Sequence, residues 1–300
     1  MLFFSVNDVS IKLLSGGYAL HQVVLIRSII GLFIILTVIA PFTNGWAIAR
    51  TKRLRMHILR GLCVVAANMT FFLGLAAMPL ADAVAIFFVS PFVITLFSVV
   101  FLGETVGPRR WAAIAVGMLG VLIMMRPGTA SFQIASLLPL AAAFCYAAIH
   151  IIARRIGGTE SAATMAFYIQ IMFITVCILM GLAVGDGKFG NQTDPSLLFL
   201  LRAWSWPVVA DYPVFLVVGI GVAMGGFLIS QAYRVAEVSY VAPFEYLALP
   251  LSVVWGMVIF GEFPDAWDYV GMALILGAGL FTAWREARTK PIALQRPLRR

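Results

Sequence analysis

The sequence has little charge. Only 11% of its 300 residues are charged, whereas 62% are hydrophobic and the mean hydropathy is +1.00. A soluble protein carries about 25% charged residues and has no means of burying so much apolar surface. Long apolar runs recur along the chain, and about 20 such residues are needed to cross a bilayer as a helix. We therefore predict an all-α integral membrane protein, with the lipid bilayer as its main solvent.

Residues that carry chemistry are also scarce. The chain has three histidines, scattered over different apolar segments, and three cysteines without metal-ligand spacing. It lacks the HExxH and GxSxG motifs and a phosphate-binding P-loop. We therefore expect no metal site, no cofactor, no enzymatic activity and no ATP hydrolysis. The net charge of +8 comes from loops beside apolar segments, so we also expect no binding to nucleic acid.

The apolar runs predict ten transmembrane helices. A cleavable signal peptide is not expected, because no basic segment and no small-residue cleavage site precede the first helix. The long link 185–211 contains two tryptophans, which favours a segment at the membrane interface rather than an eleventh span. The predicted spans are 1–15, 22–40, 58–78, 82–102, 110–126, 132–153, 162–184, 212–233, 238–260 and 267–284.

The distribution of lysine and arginine predicts the orientation. With ten spans, sixteen of these residues fall on the side that holds both termini, and three fall on the other side: Arg126, Lys188 and Arg202. Basic loops remain in the cytoplasm. We therefore place the N- and C-termini in the cytoplasm of a multi-pass protein of the bacterial inner (plasma) membrane.

Two segments of the chain resemble one another. Asp82–Glu104 and Val241–Glu262 are both apolar, and aligning them places Pro91 on Pro250 and both end in Gly-Glu. Because five is an odd number of spans, a duplicated five-helix unit inserts its second copy upside down, as in many secondary transporters. We predict inverted repeats at 1–128 and 129–290, followed by a basic cytoplasmic tail at 291–300.

This twice-written pattern of small residues, a proline and a closing Gly-Glu resembles the EamA family of the drug/metabolite transporter superfamily. The first helix, SVNDVSIKLL, and Arg27 within LIRSIIG resemble the family's first two helices. The resemblance implies export or uptake of small metabolites. Members include exporters of aromatic and other amino acids of the YddG type, S-adenosylmethionine uptake carriers and drug exporters.

Four charged residues lie within predicted spans, where a charge costs about 2.5–3.5 kcal/mol on insertion scales and usually faces a cavity or a partner. Asp8 and Lys12 are four apart on one helix face and are expected to pair. They either form a structural ion pair linked to Arg27, or the three residues bind a zwitterionic substrate. In the second case Lys12 or Arg27 meets a carboxylate and Asp8 meets an ammonium group. Glu245 is a candidate for substrate binding and proton coupling. The alternatives are a pair with His150 or Arg234, or a side chain that extends towards the inner membrane surface.

Uncharged side chains complete the predicted site. Polar groups in lipid need partners, and aromatic side chains suit an apolar pocket. We expect His150 either to pack or to relay protons. The helices containing Pro91 and Pro250 are expected to be kinked and to move during gating, and the alternative is a static bend. The other candidate substrate-binding residues are Asn68, Phe72, Phe87, Tyr146, Gln231 and Tyr246, with Phe71, Phe88 and Trp255 as further aromatics.

These observations predict a secondary transporter that works by alternating access. Its substrate is expected to be an amino acid, aromatic and other apolar ones included, or a related small metabolite, moved by export. The alternatives are S-adenosylmethionine uptake and efflux of cationic drugs or metabolites. A membrane-embedded enzyme and a sensor are disfavoured, because no catalytic cluster and no soluble domain are evident. We expect a monomer in the lipid bilayer.

Overall fold

The computed structural model describes residues 1–41, 45–103, 105–129, 132–156, 161–235 and 244–289. Within these ranges the chain is helical and has no strand, as predicted from its apolar runs. The helices are α1 (Leu2–Leu14), α2 (Leu20–Ile34), α3 (Leu54–Ala77), α4 (Leu80–Phe87), α5 (Ser90–Leu102), α6 (Pro108–Met125), α7 (Leu137–Ile156), α8 (Ala162–Val184), α9 (Pro195–Leu201), α10 (Tyr212–Val235), α11 (Ala248–Trp255) and α12 (Ala266–Thr289). Turns of π-helix extend α2 over Ile35–Ile39 and α11 over Gly256–Phe260.

Eight candidate membrane spans lie in the described part of the chain. They are Leu20–Val38, Leu54–Ala77, Leu80–Leu102, Pro108–Met125, Ile134–Ala153, Ala163–Val184, Val209–Gly226 and Ala266–Arg285. The first helix has 13 residues, about 20 Å at 1.5 Å per residue, which is shorter than a bilayer core of about 30 Å. The predicted ninth span, 238–260, contains a shorter apolar helix over Ala248–Phe260. Residues 238–243 of this span lie outside the described ranges. The all-helical membrane fold is confirmed, and the count of ten spans stays a prediction.

The link between α8 and α10 contains only short helices. Its one α-helix among the described residues, α9, has seven residues, and the Asp194 side chain that precedes it accepts a hydrogen bond from the Leu197 N–H at 3.0 Å. A single 3-10 turn over Val209–Asp211 leads into α10. Trp206 in this link is 95% exposed and Trp204 is 41% exposed. This arrangement agrees with the predicted interfacial segment.

The two prolines of the repeated segments differ from the prediction. Neither kinks a continuous helix: α4 ends at Phe87, a turn follows, and Pro91 lies in the first turn of α5. A second turn precedes α11, which has Pro250 as its third residue. Proline lacks an N–H, and the first turn of a helix is where that loss costs least. The predicted kinks are therefore helix breaks.

Both segments also end alike. Gly103 after α5 has φ 67° and ψ 22°, and Gly261 after α11 and its π-turn has φ 66° and ψ 22°. This left-handed conformation ends a helix and favours glycine, which has no Cβ to clash. The glycine of each Gly-Glu pair is thus explained by the turn that it makes.

The helices pack in pairs across the two halves of the chain. α3 packs against α7 and α8, and α10 packs against α1 and α2. α5 also contacts α7, and α11 also contacts α1. The remaining large contacts join α2 with α8, α4 with α11 and α6 with α12. In the last pair the backbones nearly touch, because a methyl group on Gly120 would lie 2.8 Å from the carbonyl oxygen of Gly271.

Candidate functional site

A continuous row of aromatic rings follows the interior where α3, α4 and α7 meet. The Phe72 and Phe71 centroids are 5.8 Å apart, and Phe87 lies 5.1 Å from Phe71. Tyr146 of α7 lies 5.3 Å from Phe87 and 4.6 Å from His150, edge to face in both contacts. We call Phe72, Phe71, Phe87, Tyr146 and His150 the aromatic ladder. Phe72 is buried and the other four are half-buried, so four of the five rings keep part of their surface exposed.

The two helix breaks meet beside this ladder. Phe88 follows α4 and stacks on Tyr246, which precedes α11, with centroids 5.2 Å apart and planes inclined by 29°. Glu245 is half-buried and its carboxylate interacts electrostatically with Tyr146 of the ladder. The structure therefore brings the predicted Phe87, Tyr146, Glu245 and Tyr246 into one region.

The ion pair predicted between Asp8 and Lys12 is wrong. The Asp8 carboxylate accepts a hydrogen bond from the Asn7 side-chain amide at 3.1 Å. Lys12 instead pairs with Glu262, whose Oε1 lies 2.6 Å from its Nζ. Residues four apart share a helix face, but the tertiary fold brings a different carboxylate closer to the Lys12 amine. A substrate-binding role for Lys12, which stays a prediction, would require these contacts to open.

Lys12 and Glu262 tie three parts of the chain together. The Lys12 amine also donates to the Met78 carbonyl at 2.7 Å, and Glu262 Oε2 accepts from the Leu80 N–H at 2.8 Å. The side chains are 10% and 24% exposed, respectively. We call this set of contacts the Lys12 junction. It links α1, the connection between α3 and α4, and the Gly-Glu end of the segment containing α11.

More acidic residues surround this end of the bundle. Arg126 donates hydrogen bonds to Asp265 at 2.5 Å and to Asp268 at 3.0 Å. The hydrogen bond from Arg126 lowers the pKa of the exposed Asp265 carboxyl. Asp82 has a buried Oδ1 without a hydrogen-bond partner in the described structure, and it interacts electrostatically with Lys12. The junction thus lies in an acidic environment, which Lys12 and Arg126 partly neutralise among the described residues.

Arg27 is buried on α2 at 2% exposure. Its guanidinium carbon lies 5.3 Å from the centroid of Phe72 and 5.0 Å from that of Phe173. It is therefore adjacent to the Phe72 end of the aromatic ladder, as a cation–π partner of two rings.

The remaining predicted residues fall in different places. Asn68 is half-buried on α3 and donates to the Val64 carbonyl of its own helix at 3.1 Å. Gln231 belongs to α10, but its side chain lies outside the described part of the structure, as does Glu104. Sequence reasoning missed the function of Glu262 as the partner of Lys12. The repeated Gly-Glu motif marked this residue without indicating what it contacts.

Comparisons with known proteins agree with this architecture. A profile of the EamA-like transporter family matches residues 1–126. A riboflavin transporter of Rhizobium johnstonii is 34% identical over 250 residues, which are 83% of this chain and 77% of the relative. An S-adenosylmethionine uptake transporter of Rickettsia prowazekii is 26% identical over 285 residues, or 95% of this chain and 90% of the relative.

A solved structure shares the fold. It matches with a TM-score of 0.64 at 18% identity, over 96% of this chain and 97% of its own. The relatives above are named as transporters, and the fold is a bundle of membrane-spanning helices. The chain therefore belongs to the EamA-like transporter family, as a multi-pass transporter of the bacterial inner membrane.

Proposed function

We propose that this transporter carries a planar heteroaromatic metabolite, with riboflavin as the first candidate. The aromatic ladder is the observation that carries the proposal. Its five rings follow one another at centroid distances of 4.6–5.8 Å, from Phe72 beside Arg27 to His150. The half-buried rings Phe71, Phe87 and Tyr146 offer partly exposed surface to a flat ligand.

Stacking on such rings supplies affinity without requiring many polar contacts. Aromatic pairs contribute about 0.5–1.5 kcal/mol beyond the area that they bury, and stacking of a nucleobase on an aromatic side chain contributes about 1–3 kcal/mol. An extended ring system that contacts two or three members of the ladder would gain from each. A small amino acid side chain has room for one such contact, so the ladder favours the larger ring system.

The relatives point to the same class of ligand. Their names give riboflavin and S-adenosylmethionine, and both molecules contain a fused nitrogen heterocycle. S-adenosylmethionine is the second candidate, since the interior carboxylates Asp8 and Glu245 suit its sulfonium cation. Export of amino acids, aromatic and other apolar ones included, stays a prediction, as does efflux of cationic drugs. Neither relative is named for these activities.

We further propose two inverted repeats that move against each other by alternating access. In the proposed repeats, α1, α2 and α3 of the first half correspond to α7, α8 and α10 of the second. Replacing each helix by its counterpart turns the contact of α3 with α7 into that of α10 with α1, and the contact of α3 with α8 into that of α10 with α2. The contacts of α2 with α8, α4 with α11 and α6 with α12 each convert into themselves. This invariance supports a two-fold relation between 1–128 and 129–290. Ten spans, cytoplasmic termini and a monomer complete the proposal.

The test is counterflow in proteoliposomes that contain the purified full-length protein. Labelled riboflavin, S-adenosylmethionine and phenylalanine are supplied separately, each against the same unlabelled compound. We expect accumulation of riboflavin above that of empty liposomes, whichever direction of flux operates in the cell. Accumulation of phenylalanine alone would replace the proposal with amino acid transport, and accumulation of S-adenosylmethionine alone would select the second candidate.

A matched pair of variants tests the ladder itself. Phe87→Leu removes a ring from the middle of the ladder and should raise the KM for riboflavin about fivefold, the equivalent of about 1 kcal/mol. Phe33→Leu makes the same change on α2 at a side chain that is 66% exposed, and should leave KM unchanged. Equal effects of the two substitutions would show that the ladder does not contact the substrate.

A further inference from the structure

Arg27 holds hydrogen-bond donors that the described protein does not use. It is 2% exposed, its Nε is fully buried, and its guanidinium makes no hydrogen bond or ion pair with any described residue. Its neighbours are the rings of Phe72 and Phe173. A buried charge without a polar partner is costly within a membrane. A guanidinium with five N–H donors in such a place is suited to a ligand that brings the acceptors.

The first helix supplies the complementary groups. Asn7 is 3% exposed, and its Oδ1 is buried without a partner in the described structure, while its Nδ2 donates to Asp8. The half-buried Asp8 carboxylate interacts electrostatically with Arg27, but the two form no ion pair. Asp8 on α1 and Arg27 on α2 therefore interact through space without a hydrogen bond between them.

This polar group lies at one end of the aromatic ladder. Arg27 contacts Phe72, and Phe72 is the first ring of the ladder. A flat ligand stacked along the ladder would direct one edge towards Arg27. That edge is buried, so each polar atom on it needs a partner.

We infer that Arg27, Asp8 and Asn7 are specificity-determining residues that recognise the imide edge of a pyrimidinedione ring. Such an edge alternates carbonyl, N–H and carbonyl groups. Arg27 donates to a carbonyl oxygen, and Asp8 accepts from the ring N–H, with Asn7 holding the Asp8 carboxylate in place. The inference rests on the proposed function, because the isoalloxazine ring of riboflavin ends in this edge.

The test combines changes in the ligand with changes in the protein. Competition against labelled riboflavin is measured in proteoliposomes for unlabelled riboflavin and for its N3-methyl derivative, which lacks the N–H. On the wild type we expect N3-methylriboflavin to compete about ten- to hundredfold more weakly, as for loss of a hydrogen bond to a charged group. In Asp8→Ala this ratio should fall to within about threefold of one, and Arg27→Met should raise the KM for riboflavin at least tenfold.

Controls separate this effect from a loss of folding. Asp186→Asn removes a carboxylate from an exposed loop, where it pairs with Lys188 at 2.6 Å, and should leave the ratio unchanged. Arg27→Lys retains the charge and should recover part of the affinity that Arg27→Met loses. Melting temperature and elution volume are measured for every variant.

Each outcome is decisive. If the wild type transports riboflavin but N3-methylriboflavin competes equally well, the inference is overturned while the proposed function stands; this arm needs no variant to fold. An unchanged ratio in folded Asp8→Ala also overturns it. If phenylalanine competes and Asp8→Ala abolishes only that competition, the residues bind a zwitterion instead. If the wild type transports no riboflavin, both the proposed function and the inference fail.

Discussion

Replacing Glu262 by glutamine removes one charge from the Lys12 junction and keeps its shape. In the structure the Glu262 carboxylate lies 2.6 Å from the Lys12 amine and also accepts from the Leu80 N–H at 2.8 Å. Glutamine retains an oxygen for one of these donors. The Lys12 amine keeps its bond to the Met78 carbonyl but loses its counter-charge.

The free-energy cost of Glu262→Gln depends on how deeply the Lys12–Glu262 ion pair is buried. Removing one partner of a buried ion pair costs about 3–5 kcal/mol, whereas an exposed pair contributes about 0–1 kcal/mol. With side chains 10% and 24% exposed, the junction lies nearer the buried limit, and we assign it about 2–3 kcal/mol. If alternating access opens this end of the bundle, the change should shift the equilibrium towards the open state by about 30- to 140-fold, at about 1.4 kcal/mol per factor of ten.

The assay measures how quickly this end of the bundle opens to a reagent. Cys63, Cys145 and Cys177 are replaced, and one cysteine is introduced at Ala81, which is 3% exposed beside Leu80. Its reaction with a maleimide is followed in detergent, where both ends of the bundle are accessible. We expect Glu262→Gln to react at least tenfold faster than its parent and to melt at a lower temperature.

The matched control is Asp265→Asn, a neighbouring carboxylate that is 49% exposed, and it should leave the rate within about twofold. The charge reversal Lys12→Glu with Glu262→Lys should recover part of the protection. Unchanged labelling and unchanged melting in folded Glu262→Gln would refute the reasoning, since the ion pair would then not stabilise the closed state of this end of the bundle.

Three further outcomes are expected. Glu245→Gln should remove the pH dependence of transport between pH 5 and 8 if this carboxylate carries the coupled proton, and an unaltered rate–pH profile would exclude that role. Gly120→Ala should lower the melting temperature, because its methyl group would meet the Gly271 carbonyl at 2.8 Å, whereas Gly277→Ala on α12 meets nothing within 4 Å and should not. Arg126 lowers the pKa of Asp265, so the stabilisation from this pair is present above the unfolded pKa of about 3.9 and is lost as pH falls through the lower folded value. Thermal melts of Asp265→Asn and its parent should therefore differ slightly at pH 7, and the difference should shrink as the pH is lowered through the acid range below about 3.9.

Much of the fold was predictable because lipid imposes simple constraints. Every backbone group in a bilayer must bond within its own segment, so apolar runs of about 20 residues predict helices and short polar stretches predict their ends. The boundaries of α3, α6 and α8 lie within a few residues of those expected. The repeated Pro91 and Pro250 indicated irregular helices, although the position of each break depended on which turn could tolerate a missing N–H.

The candidate site was predictable in its membership and less so in its contacts. Phe87, Tyr146, Glu245 and Tyr246 were singled out as polar or aromatic groups in apolar surroundings, and the fold brings them together. The order of rings along the ladder required the packing of α3 and α4 against α7. Periodicity assigns a side chain to a face of its helix, but it does not specify which helix that face meets.

The sequence by itself determined that this protein lies in lipid, where its helices are, which segment is duplicated and which family it resembles, because these depend on local composition and spacing. Only the tertiary structure decided which side chains the charged residues contact. Lys12 has an acid four residues away in Asp8, yet it pairs with Glu262, 250 positions along the chain. Arg27 lies beside aromatic rings on two other helices and has no paired acid among the described residues. An interaction between charges depends on distance in space and on burial, and packing sets both of these between helices that are far apart in sequence.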